Sequence, residues 1–187
     1  LVMSGTLYFM LIGLGFMFME ISLLQALGVF LGHPIYGLSV TLFSLIISAG
    51  IGSLISEKFP LKTLPRQVIW CGLTCGYGIL MAFSLKDIFH DFAEVDIVTR
   101  VLISVAIMSP AGILMGFGFP SGLKLTEQYD TRATAWFWGI NGAAGVLGSS
   151  IAIACNIEFG IDSTLIIAGI CYALLIIPFI ALHKKTG

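Results

Sequence analysis

The chain has 187 residues, 58% hydrophobic and 10% charged, with a net charge of −1 and a mean hydropathy of +1.04. Soluble domains carry about 25% charged residues, so this composition excludes a water-soluble globular domain. No basic patch suggests a nucleic-acid partner, and none is expected; the partner the composition implies is the lipid bilayer.

A spanning helix needs about 20 apolar residues, and six segments meet that length. Leu1 in place of an initiator Met predicts a processed chain or a piece of a longer protein. The first helix is expected over 7–31; it is too long for a signal peptide and carries Glu20 with no basic stretch before it. The turn Gly32-His33-Pro34 leads into the second, over 35–56. A polar loop with Pro60 and Pro65 precedes the third, over 67–85, and the polar stretch 86–96 follows it. The fourth, over 98–119, contains Pro110 and is expected to stop at Pro120. The fifth and sixth are expected over 135–156 and 161–183, with Pro178 near the end of the sixth. Interior prolines are tolerated in membrane helices because neighbours satisfy the freed carbonyls.

The charges support this count. With six spans, one side collects Lys58, Lys62, Arg66, Lys124, Arg132, Lys184 and Lys185, seven of the nine basic residues. The other side has Lys86 and Arg100 among six acids. This asymmetry places both termini in the cytoplasm and the chain in the cell's inner membrane.

Six spans divide as three plus three. Gly15-Phe16-Met17-Phe18-Met19 is loosely similar to Gly116-Phe117-Gly118-Phe119-Pro120, and Gly52-Ser53 on helix two to Gly148-Ser149 on helix five. Halves with an odd number of spans are inverted relative to each other, so the expected fold is an all-α integral membrane bundle with a 3+3 inverted repeat, resembling half of a major-facilitator transporter.

Glu20 lies near the centre of helix one, where an ionised carboxylate costs several kcal/mol unless paired, wetted or protonated. Two readings are open: a proton- or cation-linked site, and a protonated side chain bonded to a neighbouring helix. Gln25 shares a face with Ser22 and lies about 140° around the helix from Glu20. On helix two, Thr41, Ser44, Ser48 and Gly52 form a small-residue stripe that reads as a packing seam. On helix five, Trp138, Asn141, Gly145, Gly148 and Ala152 share a side, which admits either a packing seam through Gly145 and Gly148 or the lining of a binding site. Lys124 and Arg132 flank the turn before helix five as a gate or as an interfacial anchor. Cys71, Cys75, Cys155 and Cys171 lie in apolar segments and imply neither disulfide nor metal. No two of His33, His90 and His183 are spaced to hold a metal or haem. No hydrolase, metalloprotease, P-loop or dinucleotide motif occurs in a suitable setting, so neither catalytic residues nor a cofactor are expected.

Three runs carry a resemblance: F-M-E-I-x-L-x-Q at 18–25, L-G-H-P-x-Y at 31–36 and W-x-W-G-I-N-G-A at 136–143. Together with Gly116–Leu125 they resemble the multi-pass membrane part of spermidine synthase-like proteins, the fused major-facilitator/spermidine-synthase family. The matched positions are Glu20, Gln25, His33, Pro34, Tyr36, Pro120, Trp136, Trp138 and Asn141. The resemblance implies a soluble synthase-like partner domain binding a decarboxylated S-adenosylmethionine-type cofactor, to which nothing in this chain corresponds. It makes polyamines the fitting solutes. Binding or transport of a small cationic solute, with Glu20, Gln25, Trp138 and Asn141 at the site, is one expectation. The other is a non-catalytic accessory or scaffold subunit that associates with another membrane chain or a second copy of itself.

Overall fold

The computed structural model describes residues 2–127 and 133–183, the side chains of residues 127 and 183 excepted. Arg132 and the lysines at 184 and 185 lie outside the described residues. Eight helices follow in order: α1 (Val2–Leu31), α2 (Pro34–Lys58), α3 (Leu64–Asp91), α4 (Ile97–Gly116), α5 (Gly118–Glu127), α6 (Thr134–Phe159), α7 (Ile161–Leu174) and α8 (Ile176–His183). Taking α4 with α5 and α7 with α8, six are long and apolar enough to cross a membrane. The protein is an all-α, multi-pass membrane bundle.

Turn chemistry sets the ends. Gly32 and Gly160 have positive φ, 71° and 85°, a backbone conformation that glycine adopts without a Cβ penalty, and each joins two spans by a tight turn. His33 caps α2, its Nδ1 accepting from the Ile35 amide at 3.3 Å, and Pro34 opens the helix where no N–H is needed. Asp96 caps α4 by accepting from the amides of Val98 and Thr99 at 3.0 and 3.2 Å. α3 runs on through Lys86 and Asp87 to Asp91, past the expected stop at 85, because these polar side chains sit exposed on its last turns.

Helix four does not stop at Pro120. It breaks at Phe117 and resumes as α5, with Pro120 in the new first turn, where a missing N–H costs nothing. The ring would otherwise clash with the carbonyl four residues back, that of Gly116. Aromatic side chains hold the loosened backbone: Trp70 Nε1 donates to the Leu114 carbonyl at 2.8 Å and the Tyr8 hydroxyl to that of Gly118 at 2.9 Å. Pro178 repeats the pattern, with α7 ending at Leu174, four residues earlier.

α1 is the central helix, buried against α6 and α7 along most of its length. It runs parallel to α6: Trp136 Nε1 donates to Thr6 Oγ1 at 2.9 Å near the start of both, and Ser22 Oγ donates to Asn156 Oδ1 at 3.0 Å further along. The most extensive packings are α1 on α6 and α2 on α4, followed by α3 on α7. Each half's second span therefore leans on the other half's first span, and the two third spans meet, as a pairwise exchange between inverted halves requires. The exchange is incomplete, since α1 packs far more closely on α7 than α4 does on α3. Two short runs carry it in detail. Gly52 packs on Ile113 of α4 and Gly148 on Leu14 and Met17 of α1, while the serine after each, Ser53 or Ser149, turns toward a shared cavity.

Candidate functional site

That cavity has a volume of about 690 Å³, within the range of small-molecule sites. α2 and α6 form its facing walls. Between them lie α1, through Gly13, Phe16 and Met17, and the α4–α5 break, through Met115, Gly116, Phe119 and Pro120. The interrupted helix thus borders a cavity, the setting in which a membrane protein tolerates irregular backbone.

Glycine creates the space and sets its floor. A Cβ on Gly13 would lie 2.6 Å from the Asn141 carbonyl oxygen and 3.2 Å from Asn141 Nδ2, so only glycine lets α1 and α6 meet this closely. There Asn141 Nδ2 donates to the Phe9 carbonyl at 3.0 Å, and the side chain is half-buried at the cavity wall. Among the described residues its Oδ1 takes no hydrogen bond. Trp138 is 57% exposed and edges onto Phe119 at 4.4 Å between ring centroids, so Phe16, Phe119 and Trp138 form an aromatic rim. The polar groups of the lining are Asn141, Ser53 and Ser149, and no basic side chain belongs to it.

The expected site residues separate into two groups. Trp138 and Asn141 come together in the cavity with Gly145. At Gly145 the nearest atom to the missing Cβ is Met17 Cγ at 3.9 Å, an ordinary van der Waals distance, so this glycine touches α1 loosely and also lines the cavity. Gly148, one turn on, makes the closer approach, 3.3 Å to Leu14 and Met17. Ser48 and Gly52 sit on the seam of α2 with α4, where a Cβ on Gly112 would collide with Ser48 Oγ and one on Gly52 with the Ile113 backbone. The serine hydroxyls there return to carbonyls of their own helix, Ser44 to Val40 and Ser48 to Ser44, instead of bridging the seam.

Gln25 lies elsewhere. Its Oε1 accepts from Asn156 Nδ2 at 2.9 Å, and with Ser22 it completes a buried amide–hydroxyl network between α1 and α6. No motif in the sequence marks Asn156; the signal for it is that Ser22 and Gln25 share a face and need a polar partner. Gln25 also borders a second cavity of about 610 Å³ at the opposite end of α1, with Leu24, Gly28, Pro34 and Ile161. Glu20 is half-buried on α1 between the two cavities, four residues after Phe16 and three after Met17. It makes no hydrogen bond or ion pair among the described residues. Lys124 is exposed on α5; Arg132, its expected companion, lies outside the described residues. Among the described residues no group of three or more His, Cys, Asp or Glu is placed to hold a metal ion. No family model, curated protein or solved structure matches the chain.

Proposed function

We propose that this bundle binds a small organic cation in the cavity between α1, α2, α4–α5 and α6 and carries it across the bilayer. The observation that carries this reading is the lining: three aromatic rings, hydroxyl and amide acceptors, and no basic side chain; the Glu20 carboxyl lies beyond it, one helical turn along α1 from Phe16. Aromatic faces attract organic cations most strongly where water is excluded, and the Asn141 oxygen supplies a fixed dipole. The resemblance to spermidine synthase-like proteins makes a polyamine the first solute to test. The charge asymmetry supports termini on the cytoplasmic face, so the larger cavity, near the starts of α1 and α6, belongs to that half of the protein. No catalytic role is assigned to any residue.

Spermidine binding and uptake by the protein in proteoliposomes test the reading, with Gly145→Trp to fill the cavity. Gly139→Trp, on an exposed face of α6 with nothing within 4 Å of its missing Cβ, is the control. Loss of binding in the first variant alone supports the assignment; equal binding in both refutes it.

A second reading, an accessory subunit, is favoured by one observation. α2 and α6 are the least buried spans, at 22% each against 39–56% for the others. These helices flank the cavity, so a second copy or another membrane chain would complete its walls. Native mass measurement after mild detergent extraction checks this; a monomer that binds solute by itself counts against it.

A further inference from the structure

Both cavities open along α1, and both stop short of the same side chain. Residues Ile12 to Met17 border the larger and Leu24 to Val29 the smaller. The intervening stretch is about 10 Å of helix at 1.5 Å per residue. Glu20 lies within it, three residues after Met17 and four before Leu24, on the face of the larger cavity; of the α1 residues bordering the smaller one only Leu24 shares that face, Gln25 lying about 140° round the helix. The larger cavity is bordered by Gly13, Phe16 and Met17, whose directions bracket that of Glu20 around the helix.

The described residues around Glu20 supply no countercharge. Among the described residues, Glu57 and Lys58 close α2, Arg100 opens α4, Lys124 is exposed on α5, Glu158 closes α6 and Asp162 opens α7. α3 carries Arg66 in its first turn and Lys86, Asp87, His90 and Asp91 in its last two, and His183 ends α8. The buried Cys171 and Tyr172 pack on Gly15, about 140° around α1 from Glu20. Cys155, seven residues after Gly148 on the α6 face that meets Met17, brings a thiol to this side of α1 and no charge of opposite sign.

An unpaired carboxylate at the membrane centre must take up a proton or a cation. We propose that Glu20 is a proton-exchange site, at which a cationic solute and a proton compete for one carboxylate. This inference rests on the cation reading of the larger cavity. On binding, the O–H bond of protonated Glu20 breaks, the proton leaves to water in a cavity, and the carboxylate pairs with the solute cation. Release of the solute to the other side and reprotonation complete an exchange of one cation for one proton.

The test uses the whole chain in lipid nanodiscs, with spermidine and the monovalent tetraethylammonium as probes. Wild type is expected to release one proton per tetraethylammonium bound. Its apparent affinity should rise about tenfold per pH unit until Glu20 is ionised. Glu20→Gln should release none and lose the pH dependence, while Glu20→Asp, which keeps the carboxyl, should retain both. Binding without proton release in wild type overturns the exchange and leaves the cation site standing. If neither probe binds, the cation reading fails, and infrared difference spectra decide the rest. A protonated-carboxyl band that titrates in wild type and is missing in Glu20→Gln supports the proton site; no such band overturns it.

Discussion

Replacing Gly13 with alanine probes the contact that both shapes the cavity and joins one of the two most extensively packed helix pairs, α1 and α6. The added Cβ would stand 2.6 Å from the Asn141 carbonyl oxygen, where ordinary contact begins at 3.4 Å, so α1 and α6 must part by about 0.8 Å. The obstacle is backbone and cannot rotate away. Overpacking of this kind costs about 1–3 kcal/mol, and a gap of 0.5–1 Å forfeits about a quarter to a half of each dispersion contact along the seam. The shift also strains the Asn141–Phe9 hydrogen bond, worth about 0.6 kcal/mol in a membrane. Against this stands the helix preference of alanine over glycine, about 0.5–1 kcal/mol. The net expectation is a loss of about 1–3 kcal/mol, or a midpoint lowered by about 2–12 °C for a chain of this size. Gly142→Ala is the internal control: it borders the same cavity, has nothing within 4 Å of its missing Cβ, and should be neutral or slightly stabilising. Thermal unfolding in mild detergent, followed by tryptophan fluorescence, measures both. Gly13→Ala with wild-type stability, or Gly142→Ala equally damaged, would refute the argument.

Three further outcomes follow from the hydrogen bonds. Asn156→Leu removes both links of the Ser22–Asn156–Gln25 network and should cost about 1–2 kcal/mol in unfolding measurements; Ser22→Ala should cost less, since one link survives. Trp70→Phe keeps the ring but takes the donor from the Leu114 carbonyl; hydrogen exchange should quicken at residues 114–119 around the break and stay unchanged in α2. The Thr99 hydroxyl, followed by the Thr99 and Val98 amides, holds the exposed Asp96 carboxyl below its ordinary value of 3.8. A lowered pKa stabilises the fold above the unfolded value, and that contribution is lost as pH falls through the folded one. Wild type should therefore lose stability below about pH 4, and Asp96→Ala should lack that part of the acid limb in a pH series of melting curves.

Composition and hydrophobic run length were enough to determine six spans. Lipid forces every backbone polar group to be satisfied within a helix, so twenty apolar residues have one structural solution. The turn at Gly32-His33-Pro34 was legible for a similar reason, being decided by residues adjacent in sequence. The break at Phe117 was less so. Pro120 signals an interruption, but whether a helix ends or resumes depends on donors from other spans, here Trp70 and Tyr8. Pairing was beyond the sequence altogether: apolar faces look alike whether they meet lipid or protein, so only the tertiary structure decides that Gly148 packs tightly on α1 while Gly145, one turn away on the same stripe, touches it loosely and borders the cavity. It likewise decides that Asn156 reaches Gln25 and Ser22 from a helix more than a hundred residues away, which leaves Glu20 unpaired between two cavities. The physical reason is that helix periodicity defines directions around one axis, while depth, facing partner and open volume arise when several axes are brought together.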